Sequence, residues 1–184
     1  VAITLDNFLG SNSGNGITTV TITTSAAAAS GARVVVTMSW FNSGSTAPTC
    51  TVGGTGATLD KQFDNGSDHF AIFSLVVAGG LSSSSSITVV DHGAGGSGGV
   101  LCAACSYLGT TGLDTTSSNN TTGTGFSSGA ASNTVADALF VGGAGSEAAS
   151  TTVGGTNTNG TSRADIFNVA AGQGLRMLDL IASS

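Results

Sequence analysis

Ionised side chains are the scarcest material in this chain. Only 8% of its 184 residues are charged, with 4 Lys+Arg against 10 Asp+Glu and a formal net charge of -6, where an ordinary soluble domain carries about 25%. Lys61 is the single lysine and Glu147 the single glutamate. Four scattered cations cannot neutralise a phosphate backbone, which excludes nucleic-acid binding as a main activity. No continuous apolar run approaches the roughly 20 residues of a membrane-spanning helix, so no membrane span is expected. The strong helix formers Glu, Lys and Arg are nearly missing while Gly fills 29 positions, and long helices are excluded on that ground. The surface left over is small, neutral and hydroxyl-rich, and it suits close contact with copies of itself or with a host lattice.

What is present is apolar material in short runs rich in Val, Ile, Phe and Thr, separated by Gly, Ser and Asn, which is the pattern of strands and turns. The length fits one domain spanning residues 1–184. Thr18 to Thr24 alternates, with Val20 and Ile22 on one face and Thr19, Thr21 and Thr23 on the other, as a half-buried strand does. Arg33 to Phe41 is almost continuously apolar and is expected as a central strand. Ile3 to Phe8, Cys50 to Val52, Thr58 to Phe63, His69 to Val77, Ile87 to Val90, Val100 to Leu108, Ala138 to Val141, Ala164 to Val169 and Leu175 to Ala182 are further candidates. About ten to twelve short strands at this spacing predict an all-β fold, an antiparallel β-sandwich of jelly-roll-like or Ig-like type. Asn65-Gly66 is a hairpin signal. Thr110 to Ser132 is nearly all Thr, Ser, Asn and Gly and is expected as a long surface excursion.

Thr51-Val52-Gly53-Gly54-Thr55 recurs as Thr152-Val153-Gly154-Gly155-Thr156. Gly53, Gly54, Gly154 and Gly155 are therefore candidate structural turns, and a structural duplication would explain the echo.

Catalytic signals are weak wherever they occur. Cys102 and Cys105 form a C-x-x-C within a strand, where residues three apart point to opposite faces and cannot bridge. Cys50 can pair with either across the sheet, leaving an odd thiol, or all three can remain buried thiols. His69 and His92 share no ligand motif. Asp64, Asp68 and His69, with Asp60 upstream, lack the alternating ligands and closing glutamate of a calcium loop and read as a solvated turn. Gly95, Ser97 and Gly99 match the spacing of a hydrolase nucleophile elbow, but the match sits in a glycine run between strands rather than at a strand-to-helix turn. Asp91, Asp114 and Asp137 are isolated and form no glycosidase pair. No catalytic residue, cofactor or metal is expected, and the chain is not expected to be an enzyme. Trp40 and Phe41 are either part of a sugar-stacking platform or core packing at a strand end.

The succession Arg33-Val34-Val35-Val36, Thr51-Val52-Gly53-Gly54 with Leu59, Ala71-Ile72-Phe73-Ser74-Leu75, Ile87-Thr88-Val89-Val90 and Cys105-Ser106-Tyr107-Leu108-Gly109, followed by Asp137-Ala138-Leu139-Phe140-Val141 and the closing run Leu178 to Ala182, resembles an all-β sandwich domain recurrent in tailed-phage virion proteins and bacterial surface proteins. The chain departs from that pattern at Val52, where an aromatic usually precedes the Gly-Gly turn, and after Tyr107, where the acidic hairpin is missing. The resemblance implies a structural or adhesive role without an active site. The leading expectation is a virion structural protein, a capsid decoration or tail-associated subunit located in the virion, with copies of itself and other virion proteins as partners. The alternative is a secreted or cell-surface adhesin that binds a host glycan or receptor through loops around Trp40, Phe41, Asp68 and His69 and through Thr110 to Ser132.

Overall fold

The computed structural model describes residues 2–41, 47–66, 68–92, 98–112, 138–147, 160–168, 170 and 172–182. These form twelve strands: β1 (Thr4–Asn15), β2 (Thr19–Thr23), β3 (Ala32–Phe41), β4 (Thr49–Val52), β5 (Thr55–Gly56), β6 (Thr58–Asn65), β7 (Asp68–Val77), β8 (Ser86–Val90), β9 (Gly99–Leu108), β10 (Ala138–Glu147), β11 (Thr161–Asn168) and β12 (Gln173–Ala182). All pairings are antiparallel, in a five-stranded sheet β1-β9-β3-β7-β6, a four-stranded sheet β2-β8-β4-β5 and a three-stranded sheet β10-β12-β11. The fold is the expected all-β sandwich, with three layers where the jelly-roll and Ig patterns have two. Among the described residues no helix is long and apolar enough to cross a membrane.

The five-stranded sheet lies in the middle, and strand periodicity explains why. Successive side chains point to opposite faces, and β3 and β9 are apolar at nearly every position. Val34, Val36, Met38 and Trp40 of β3 with Val100, Cys102 and Ala104 of β9 face one core, closed by Val20, Ile22, Cys50, Val52, Ile87 and Val89 of the four-stranded sheet. Val35 of β3 with Leu101, Ala103, Cys105 and Tyr107 of β9 face a second core, closed by Ala164, Leu175 and Met177 of the three-stranded sheet. A strand apolar on both faces needs a partner layer on each side. β2 needs one only, and its burial alternates accordingly, with Val20 and Ile22 inward and Thr19 and Thr23 exposed.

Local chemistry sets the joints. Val52 pairs with Thr55, and the two residues between them, Gly53 and Gly54, have φ of 56° and 82°. Two consecutive positive φ values define the mirror-image turn whose twist matches that of the strands. Gly154 and Gly155 lie outside the described residues, as does all of the second copy of the repeat. Gly66 (φ 68°) opens the turn between Asn65 and Asp68, which pair with one another. Beyond Gly112 the Thr/Ser/Asn stretch also lies outside the described residues.

Edge strand β1 shows how a polar edge is fitted to two cores. Register shifts fall between Leu5 and Asn7 and between Phe8 and Gly10, so Leu5 packs on the second core while Leu9 enters the first. Asp6 sits at the first shift, and its carboxylate accepts from Ala29 N and from Ser106 Oγ, both at 2.9 Å.

Candidate functional site

The sequence candidates Trp40, Phe41, Asp68 and His69 are brought together where β3 meets β7, because Trp40 pairs with His69 and Phe41 with Asp68. The His69 ring stacks on Trp40 with centroids 5.0 Å apart and an interplanar angle of 17°. His69 Nδ1 donates to Asp64 Oδ1 at 2.6 Å, and Gln62 Nε2 donates to both Asp64 oxygens at 2.9 and 3.0 Å. Trp40 is 0% exposed and His69 2%, so neither ring offers a face to a sugar or a receptor, and the pair closes one end of the first core. The indole N–H of Trp40 is buried without an acceptor. Phe41 and Asp68 are half-buried.

One neighbour in this region has no signal in the sequence. Gln173 of β12 is 1% exposed; its amide nitrogen donates to Gly99 O at 2.7 Å and its amide oxygen accepts from Phe41 N at 2.8 Å. A side chain of the third layer thus completes the hydrogen bonding of the β3–β9 ladder at its last pair, which joins Phe41 to Gly99.

A second polar group lies between the central and three-stranded sheets. Arg163 Nε donates to Asp179 Oδ2 at 2.8 Å, and the Asp179 side chain is 1% exposed. This bond holds the Arg163 guanidinium above its ordinary value. Tyr107 and Cys105 face the same carboxylate. Burial, and then the neighbouring thiol and carboxylate, push the Tyr107 phenol far up, while burial takes the Cys105 thiol to about 11. Burial likewise takes Cys50 and Cys102 to about 12 each. All three cysteines are free and buried. Thiols so raised are weak nucleophiles and weak metal ligands at neutral pH. Cys50 and Cys102 share the first core, and Cys105 lies in the second.

The remaining sequence candidates do not converge. His92 meets Thr49 Oγ1 at 2.9 Å, Asp91 is 1% exposed, and Gly95 and Ser97 lie outside the described residues. Among the described residues no three His, Cys, Asp or Glu side chains are placed to hold a metal ion. A groove of about 310 Å³ runs between the Gly53 turn and the Ala78–Gly80 turn over Leu75, Val76 and Leu81, and its lining carries no titratable side chain.

The outer face of the four-stranded sheet is different in kind. Thr19, Thr21 and Thr23 of β2, Ser86 and Thr88 of β8, and Thr49 and Thr51 of β4 alternate with the buried residues and point away from the core. Register sets Thr21, Thr88 and Thr51 in one row and Thr19, Val90 and Thr49 in the next, with the Thr21 and Thr88 hydroxyl oxygens 3.0 Å apart. None of β2, β4, β5 or β8 contains a charged residue. The period-2 pattern shows the outward threonines of each strand in the sequence, but their assembly into one surface depends on long-range pairing. Neither a family model, nor a curated protein, nor a solved structure matches the chain.

Proposed function

We propose that this chain is a structural subunit of a tailed-phage virion, a capsid decoration or tail-associated protein, held by contacts with neighbouring copies and with other virion proteins. The observation that carries the reading is the uncharged, threonine-paved outer face of β2-β8-β4-β5 over a fully apolar core. Packing another protein against such a face costs little, because no ionised group loses its hydration there. Short hydroxyl side chains also let a neighbour approach closely and exchange hydrogen bonds with it. The resemblance read from the strand succession of the sequence points to the same proposal. For the adhesin alternative, Trp40 of the expected stacking pair is buried and Phe41 is half-buried.

The test is to band native phage particles on a density gradient, wash them in high salt and digest them for mass spectrometry. The expected result is peptides of this chain at fixed stoichiometry to the major capsid or tail protein, retained through the wash because contacts without charge are not screened. Particles that form and infect normally without any copy of the chain would overturn the proposal.

A further inference from the structure

We propose that β10 is an open strand edge that pairs antiparallel with the β10 of a second copy, joining two three-stranded layers into one six-stranded sheet. The inference rests on the structural-subunit reading and names the surface and partner through which copies meet.

A strand edge exposes a row of unpaired N–H and C=O groups, and folded proteins blunt such edges with bulges, charges or short length. Among the described residues the three sheets have six edge strands, and five are blunted. β1 carries two register shifts and packs against β2 and β11. β6 is shifted between Leu59 and Lys61 and carries Asp60, Lys61 and Asp64. β11 is shifted between Ser162 and Ala164 and carries Arg163 and Asp165. β2 has 5 residues and β5 has 2. β10 is the exception: it runs 10 residues in unbroken register with β12, from Ala138 opposite Ala182 to Glu147 opposite Gln173, without proline and without a charge before Glu147.

Among the described residues, the layer beneath is left uncovered on the same side. β10 packs on β3 and β7, whereas the central sheet continues past β7 to β6. On that margin Val76 is 44% exposed and Phe63, opposite Phe70 and sharing its face, is half-buried. A strand added at β10 lies over this margin and covers it.

The chemistry of the edge selects the occupant. It calls for an extended, neutral strand with small residues, and β10 itself is one: its central Gly142 would meet nothing within 4 Å if it carried a Cβ. Two-fold pairing uses the same patch on both copies, brings no charge of one strand against the middle of the other, and gives a sheet of ordinary width.

The test compares wild type, Gly142→Lys and Gly142→Thr by sedimentation velocity over a concentration series, with amide exchange followed strand by strand. Wild type and Gly142→Thr are expected to dimerise. Gly142→Lys, which sets two ammonium groups within a strand spacing of each other, should associate at least about tenfold more weakly. Protection along β10 in the wild type should rise with protein concentration. Equal association of the lysine variant, or concentration-dependent protection on another strand, overturns the β10 assignment while leaving the subunit reading to the particle experiment. A wild type that stays monomeric at every concentration also overturns it. If both variants misfold, the exchange series on the wild type decides.

Discussion

Cys102 and Cys105 are three residues apart on β9 and belong to different hydrophobic cores. The first packs toward the four-stranded sheet and the second toward the three-stranded sheet. This places β9, and with it β3, between two apolar layers. The two cores therefore share one sheet.

The thiols of these cores should make the fold sensitive to alkali. Burial raises Cys50 and Cys102 from 9.0 to about 12 and Cys105 to about 11, so between these limits the folded chain keeps protons that the unfolded chain releases. Stability is then fully present below pH 9 and falls as pH rises toward 12. Urea titrations at a series of pH values should show the decline, and Cys102→Ala should flatten its slope. A disulfide-exchange reagent should titrate no thiol in the native chain at pH 7 and three in denaturant.

Gln173→Leu should cost about 2–4 kcal/mol, because it leaves the buried Phe41 N–H and Gly99 carbonyl without partners. Denaturant unfolding measures the loss. Gln173→Glu should cost at least as much at neutral pH, since it keeps the acceptor for Phe41 N but sets a buried carboxylate against the Gly99 carbonyl oxygen.

Neighbouring glycines of β10 should respond in opposite ways. A Cβ at Gly143 would meet the Phe70 ring and lie 2.8 Å from Arg176 O, whereas one at Gly142 would meet open space. Gly143→Ala is expected to destabilise by about 1–3 kcal/mol through overpacking. Gly142→Ala should be neutral or stabilise by up to about 1 kcal/mol, by restricting the unfolded chain. Thermal unfolding of the two variants side by side checks the contrast.

Asp60, at the register shift of β6, is raised above 3.8 chiefly by burial, against the Ser74 hydrogen bond and the Arg33 charge, which lower it. A raised carboxyl binds its proton more tightly in the folded state, so its contribution to stability is present below the unfolded value and is lost as pH climbs through the folded one. The stability difference between wild type and Asp60→Asn should therefore shift against the wild type as pH rises from 3 through the raised value, then level off. A flat difference over that range would contradict the assignment.

Strands whose pattern is local were legible in the sequence. Val20 and Ile22 alternate with threonines and lie inward, and the continuous apolar runs of Arg33 to Phe41 and Val100 to Leu108 mark strands covered on both faces. Strand ends set by distant contacts were not. β1 runs past Phe8 through the polar stretch to Asn15, held by its ladder with β9. β10 runs past Val141 through glycines that look like a loop but let the strand sit close to Phe70 and Ser39. β5 is too short to carry a pattern. The third layer escaped detection because a doubly covered strand does not say how its covering strands divide into sheets. At the candidate site, Trp40 and His69 were placed side by side by pairing that no local signal predicts, and Gln173 reaches Phe41 and Gly99 from far along the chain.

The central claim is that this chain serves by packing against neighbours, and a density map of the native particle tests it most directly. The account predicts three-layered β density repeated over the particle surface, with the threonine face against a neighbouring protein and adjacent copies meeting along β10. A map that accounts for every subunit without this fold, from particles produced while the chain accumulates as a free monomer, would contradict it.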